Sequence, residues 1–233
     1  MKTLITIILF FVAVVSFSTK GFSNDLSEAE KEGIQLMREE EKLAQDVYLF
    51  LYDQWGISIF SNISNSETKH FNAVGYLLEN FKISDPSLPE MGKFQNKEIA
   101  FLYDSLTQKG SESLVEALKV GAFIEEFEIA DLQKLLASNT DTIIEGVYQN
   151  LLCGSNNHLR AFVGQLEGSG ETYNPVILTE TVFLVVLQGS HQMGGGNNGC
   201  VLQQNNCPNQ QNIMPARIRN RGKGRMRGQG RWN

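Results

Sequence analysis

From residue 25 to residue 168 the apolar positions recur at alternating spacings of three and four, the period of an amphipathic helix. No stretch there alternates in the manner of a half-buried strand, so the pattern predicts an all-α chain. Capping residues and breakers divide it into elements. Ser27-Glu28-Ala29-Glu30 has capping-box spacing, in which Ser27 and Glu30 each satisfy a free backbone N–H, and it opens a helix running to Trp55 before Gly56. A second helix over residues 62–81 is stopped by Asp85-Pro86-Ser87-Leu88-Pro89, because proline cannot continue a helix and restricts the residue ahead of it. Residues 96–108 read as a short connecting helix ended by Gly110. Ser111 then caps a third long helix to residue 137, and Thr140 or Asp141 caps a fourth to residue 166. Four long helices and one short connector describe a four-helix bundle. Beyond Gly168, a Tyr173-Asn174-Pro175 turn precedes an apolar segment, residues 176–187. It is too short to span a bilayer, ambiguous between helix and strand, and expected to dock on the bundle.

A bundle helix turns one apolar stripe inward, so a charged residue in register with that stripe is driven toward the core. Each long helix has a polar residue of this kind. On the first, Ile34, Met37, Glu41, Ala44, Tyr48, Leu51 and Trp55 form a line whose only charge is Glu41. Leu36, Glu40, Leu43 and Val47 form a competing line one residue away, and the spacing favours Glu41 over Glu40 without deciding between them. The second helix gives Ile63, Glu67, His70, Val74, Leu77 and Phe81, in which Glu67 and His70 are a Glu-x-x-His step that sets a carboxylate and an imidazole on one face, a turn apart. The third gives Leu118, Ala122, Glu125, Ile129, Leu132 and Leu136, with Glu128 one turn after Glu125 and Glu126 pointing aside. The fourth gives Ile144, Leu151, Ser155, His158 and Phe162. His158 stands where a symmetric Glu-x-x-His step would place its histidine, and Ser155 stands where the glutamate would be.

Burying carboxylates without partners costs several kcal/mol each, so such groups neutralise or find counter-charge. Two divalent cations would supply it. Carboxylates with imidazole suit iron or manganese better than zinc, and bridging glutamates hold two ions about 3.5–4 Å apart. The expected cofactor is iron, as two ions, with manganese as the alternative.

The segments Glu39-Glu40-Glu41-Lys42-Leu43-Ala44 leading to Tyr48, Ser66-Glu67-Thr68-Lys69-His70, Gly121-Ala122-Phe123-Ile124-Glu125-Glu126 and Ser155-Asn156-Asn157-His158-Leu159-Arg160-Ala161-Phe162 together resemble the ferritin-like superfamily. Specifically, residues 26–178 are similar to the family catalogued as domain of unknown function 2202. In rubrerythrins and ferritins a glutamate of the first helix sits seven residues before a tyrosine, as Glu41 sits before Tyr48. The resemblance therefore implies Glu41 as a ligand and Tyr48 as a hydrogen-bond donor behind the ligands. Rubrerythrins also carry two carboxylates three apart on the third helix, similar to Glu125 and Glu128, and a Glu-x-x-His on the fourth that survives here only as His158. The resemblance implies a ferritin-like four-helix bundle with oxygen or peroxide chemistry at iron, although one fold hosts many functions. Expected metal ligands are thus Glu41, Glu67, His70, Glu125, Glu128 and His158, with Tyr48 and Ser155 as their hydrogen-bond partners.

The ends of the chain differ from its body. Residues 1–23 carry Lys2, an apolar run over residues 4–17 and then small polar residues, the layout of a secretory signal, which predicts an exported protein, periplasmic or extracellular. The bundle domain is then expected over residues 25–187. Residues 188–233 turn to Gly, Asn and Gln and then to Arg and Gly, a composition that predicts a disordered tail. From Ala216 onward there are seven Arg or Lys and no acid, so a chain of net charge −6 carries −13 ahead of that point. The basic residues Arg217, Arg219, Arg221, Arg225, Arg227 and Arg231 suit an anionic envelope surface, whereas an exported protein rarely meets nucleic acid. Three cysteines exclude a full disulfide framework. Cys200 and Cys207 are close enough to bridge each other, and Cys153, in a helical pattern, reads as a small buried apolar residue. His191, Cys200 and Cys207 match no zinc spacing.

Two readings of function follow. The first is an exported di-iron oxidoreductase of ferroxidase or peroxide-reducing type, with metal ions, dioxygen or peroxide and a second copy of the chain, as a homodimer, for partners. The second is a non-catalytic bundle that binds a protein or the cell envelope and holds one metal or none; Ser155 is the residue that favours it.

Overall fold

The computed structural model describes residues 26–189. The expected signal segment and the Gly/Asn- and Arg-rich tail, with His191, Cys200 and Cys207, lie outside the described residues. Six helices and no strand make up the described part: α1 (Glu28–Trp55), α2 (Ser58–Phe81), α3 (Lys97–Gly110), α4 (Leu114–Ser138), α5 (Thr142–Gly168) and α6 (Glu180–Gln188).

The capping box at Ser27 and Glu30 is formed, and α1 stops at Gly56, whose φ of 66° lies in the left-handed region that favours glycine. The chain reverses there within two residues, so α2 starts at Ser58, four residues earlier than its apolar pattern indicated, and pairs antiparallel with α1. Ser113 caps α4 by accepting the Glu116 N–H at 3.1 Å. Ser111, the expected cap, instead donates its hydroxyl backward, with the Thr107 carbonyl and Gln54 Oε1 each at 2.8 Å. Of the two candidates for α5 the cap is Asp141, which accepts from Ile143 and Ile144 N–H. In the last segment α6 is a helix that docks on α5 through buried Phe183 and Val186. Among the described residues no helix is long and apolar enough to cross a membrane.

α1 packs on α2 and α4 on α5; α1 also meets α4, and α2 meets α5, which closes the four long helices into a bundle. Short α3 bridges α1 and α4 on the crossover between α2 and α4. The core is divided. One apolar cluster includes Val47, Tyr48, Phe60, Leu118, Phe162 and Leu166, and a second includes Ile34, Met37, Val74, Leu77, Leu132 and Tyr148. Between them, one turn or two from each, every long helix contributes buried polar residues: Glu41, Glu67 with His70, Glu125 with Glu128, and Ser155.

A third side of α1 is covered by the loop from α2 to α3, which keeps its shape without secondary structure because α1 satisfies its polar groups. Arg38 pairs with Asp85 at 2.8 Å, Lys42 donates to the Glu90 carbonyl at 2.9 Å, and Asp46 accepts the Gly92 N–H at 2.9 Å. Glu39 accepts the N–H groups of Gln95 and Asn96 at the start of α3. Buried polar groups paired in this way remove the penalty that an unpaired set would incur.

Candidate metal centre

The run Glu39-Glu40-Glu41 shows how α1 assigns adjacent carboxylates. Successive helical side chains point about 100° apart, so Glu39 meets the loop, Glu40 meets α4 and Glu41 meets the bundle axis. Glu41 is fully buried, as are Glu67, Glu125 and Glu128. His70 is 2% exposed, and the His158 side chain, at 12%, is the member nearest solvent.

These residues converge as two triplets, Glu41, Glu67 and His70, and Glu67, Glu125 and His158, the potential ligand atoms of each lying within 4.8 Å of one another. Glu67 belongs to both. Its Oε2 is 2.6 Å from His70 Nδ1 and its Oε1 is 2.7 Å from His158 Nδ1. His70 Nδ1 is 3.3 Å from Glu41 Oε2, and His158 Nδ1 is 3.5 Å from Glu125 Oε2. The two imidazoles stack with centroids 5.6 Å apart. Glu128 joins neither triplet, although it faces the same space: the charges of Glu41, Glu125 and Glu67 all act on it.

Each short approach of Nδ1 to a carboxylate is an ion pair only when the imidazole is protonated. Both oxygens of Glu41 and of Glu67, Glu125 Oε2, Glu128 Oε1 and the Nδ1 atoms of His70 and His158 are all buried without a partner in hydrogen-bonding geometry. Native interiors rarely leave such groups unsatisfied, and an oxygen-rich set with one imidazole per triplet is the donor chemistry of first-row ions such as iron and manganese.

The surrounding groups hold the carboxylates in place. Tyr48 donates its hydroxyl to Glu125 Oε1 at 2.6 Å, and burial, followed by the charges of Glu125 and Glu128, raises its phenol well above its usual range and keeps it a donor. Ser155 Oγ lies 3.0 Å from Glu128 Oε2. The helix that lacks the expected glutamate therefore supplies a hydroxyl to the carboxylate opposite.

Without metal, protons balance the charge. Burial disfavours an imidazolium at His158, but Glu67 and Glu125 outweigh it and push the group up to about 10. Burial likewise opposes charge on His70, and Glu67 and Glu41 raise it well above the usual value. Burial raises the Glu41 carboxyl to about 8, against the pull of His70. Glu67 is lowered: its burial is overcome by His158 and His70.

Three sequence expectations need correction or extension. Glu41, not Glu40, joins a triplet, yet Glu40 is buried as well; it lies against Asp131 on α4, and burial, then the Asp131 and Glu41 charges, raise its carboxyl well above the usual range. Glu126 does point away from the centre, yet it is fully buried. It accepts the Tyr173 hydroxyl at 2.5 Å and the N–H groups of Val176, Ile177 and Leu178 at 3.1, 2.9 and 2.9 Å, clasping the segment ahead of α6. Cys153 is not a buried apolar residue: it is partly exposed and disulfide-bonded. The sequence signal for the Glu126 clasp was a second glutamate directly after Glu125 on a core helix.

Residues 30–190 match the profile of a family described as uncharacterized protein domain DUF2202. The chain belongs to this family. A relative of this DUF2202 chain, the uncharacterized protein MJ0754 of Methanocaldococcus jannaschii, is 46% identical over 170 residues, covering 72% of this chain and 92% of that protein. The crystal structure of hypothetical protein MJ0754 from Methanococcus jannaschii DSM 2661 superimposes with a TM-score of 0.70, covering 72% of this chain and 96% of that one. The similarity thus extends over nearly the whole length of the relative and over 72% of this DUF2202 chain.

Proposed function

We propose that this chain is an exported metal-binding protein whose bundle holds two ions, iron by preference, between four glutamates and two histidines, and that it works as an oxidoreductase of ferroxidase or peroxide-reducing type. The observation that carries the proposal is the pair of buried triplets that share Glu67, the potential ligand atoms within each lying within 4.8 Å of one another. Glu41, Glu67 and His70 would hold one ion, and Glu67, Glu125 and His158 the other. A bound iron pair would supply one-electron and oxygen chemistry. The chain's own residues orient the ligands: Tyr48 fixes Glu125, Ser155 fixes Glu128, and the two apolar clusters keep bulk water out. The more exposed His158 edge is the shorter way in for a small oxidant. Export is supported by the residue 1–23 pattern and by the disulfide at Cys153, since disulfides persist in oxidising compartments.

The test is metal analysis of the purified chain after anaerobic reconstitution with Fe(II), beside a Glu67→Ala/His70→Ala variant. Two iron equivalents in the native chain and a loss in the variant are expected; under one equivalent, or equal uptake by both, overturns the proposal. A second reading, a non-catalytic bundle with one metal or none, is favoured by a specific observation. Ser155 replaces a ligand, and protonated His70 and His158 can balance the buried carboxylates without any ion.

A further inference from the structure

Gly154 lies in the middle of α5, where glycine weakens a helix relative to alanine. A Cβ placed on it would lie 2.4 Å from His70 Cε1 and 2.5 Å from His70 Nε2, closer than real side-chain contacts occur. The imidazole has little room to retreat. Its Nδ1 edge is 2.6 Å from Glu67 Oε2 and 3.3 Å from Glu41 Oε2, and His158 stacks on it at 5.6 Å. The α5 backbone thus sits directly on the Nε2 edge of the ring and turns the Nδ1 edge toward the two carboxylates. Gly146 and Gly164, on the same helix, have nothing within 4 Å of the corresponding position.

We infer that Gly154 is a positioning residue that seats His70 with Nδ1 as its ligand atom, a role that rests on the metal-binding reading above. Any side chain at position 154 displaces the ring from Glu41 and Glu67 or lifts α5 off α2. Closeness of the two helices, rather than a hydrogen bond to the ring, sets which nitrogen faces the ions.

The experiment compares the full chain with G154A, G146A, H70A and G154A/H70A, using Co(II) as the probe. The native chain and G146A are expected to take two Co(II) per chain. G154A should take one, with the visible spectrum of H70A, a match that general loosening would not produce. In the metal-free proteins G154A lowers Tm in the native background but not in the H70A background, because removal of the imidazole removes the obstruction. A G154A chain that folds only together with H70A supports the same conclusion. Two equivalents with the native spectrum in G154A, or an equal loss of Tm with and without the imidazole, overturns it. If the native chain takes no Co(II), the metal-binding reading falls, and the melting comparison alone decides whether Gly154 seats His70.

Discussion

Glu67 is the side chain shared by both triplets, with one oxygen beside each histidine. Glu67→Gln keeps its volume and removes its charge, so any stabilisation that depends on both ions should disappear with it. An ion at a free concentration one hundred times its Kd stabilises the folded state by about 2.7 kcal/mol, so two ions contribute roughly 5 kcal/mol. At roughly 2–4 °C per kcal/mol for a domain of this size, saturating metal raises Tm by roughly 10–20 °C in the native chain. His70→Ala and His158→Ala each leave one triplet intact and should retain about half of that increment. The assay is scanning calorimetry of the full chain with and without Mn(II). Each variant is referenced to its own metal-free form, so that changes in the apo protein cancel. A Glu67→Gln chain that keeps the full increment refutes the shared-ligand argument, as does a His70→Ala chain that loses as much as Glu67→Gln.

Three further outcomes follow from the same geometry. Glu126→Ala leaves the N–H groups of Val176, Ile177 and Leu178 without their acceptor, and should cost roughly 3 kcal/mol in urea unfolding, with faster hydrogen exchange at those amides as the check. His158 is raised from 6.5 to about 10, so its contribution to the metal-free fold is complete below about 6.5 and is lost as pH rises through about 10. Because metal must displace that proton, loading at neutral pH releases protons and weakens as pH falls; calorimetry in two buffers of different ionisation enthalpy measures this, and buffer-independent heats would contradict it. Ser155→Glu buries a further carboxylate at a fully enclosed position, so it should destabilise the metal-free chain by roughly 3 kcal/mol and give a larger metal-dependent rise in Tm than the native chain.

The parts of the site visible in the sequence were those governed by helical period alone. Glu67 and His70 lie one turn apart on a single apolar stripe, and their closeness needs no knowledge of the rest of the fold. Glu41 was harder because α1 is covered on three sides, by α2, α4 and the α2–α3 loop. Its neighbours Arg38, Glu39, Lys42 and Asp46 are therefore buried although charged. A charge facing loop backbone looks the same in sequence as one facing water. Glu126 points aside as its register indicates, but its role was not legible for the same reason: its partners are main-chain N–H groups some 50 residues away, invisible to any side-chain pattern. The fold class and the four long helices with their short connector were legible because Gly56 and the proline-rich turn interrupt strong periods, whereas α6 was left open between helix and strand. The start of α2 was not, because Ser58, Ile59 and Phe60 continue a helix without a side-chain cap to mark it.

The division of the core into two apolar clusters has a consequence for how such a protein can change over time. Each half of the bundle has its own hydrophobic anchor, so the ionic slice between them can lose or exchange a donor without dissolving either half. A hydroxyl at Ser155 fits that setting: it bonds Glu128, while Leu151 on one side and Phe162 on the other stay packed. The scaffold thereby separates what holds the bundle together from the polar slice between the two clusters.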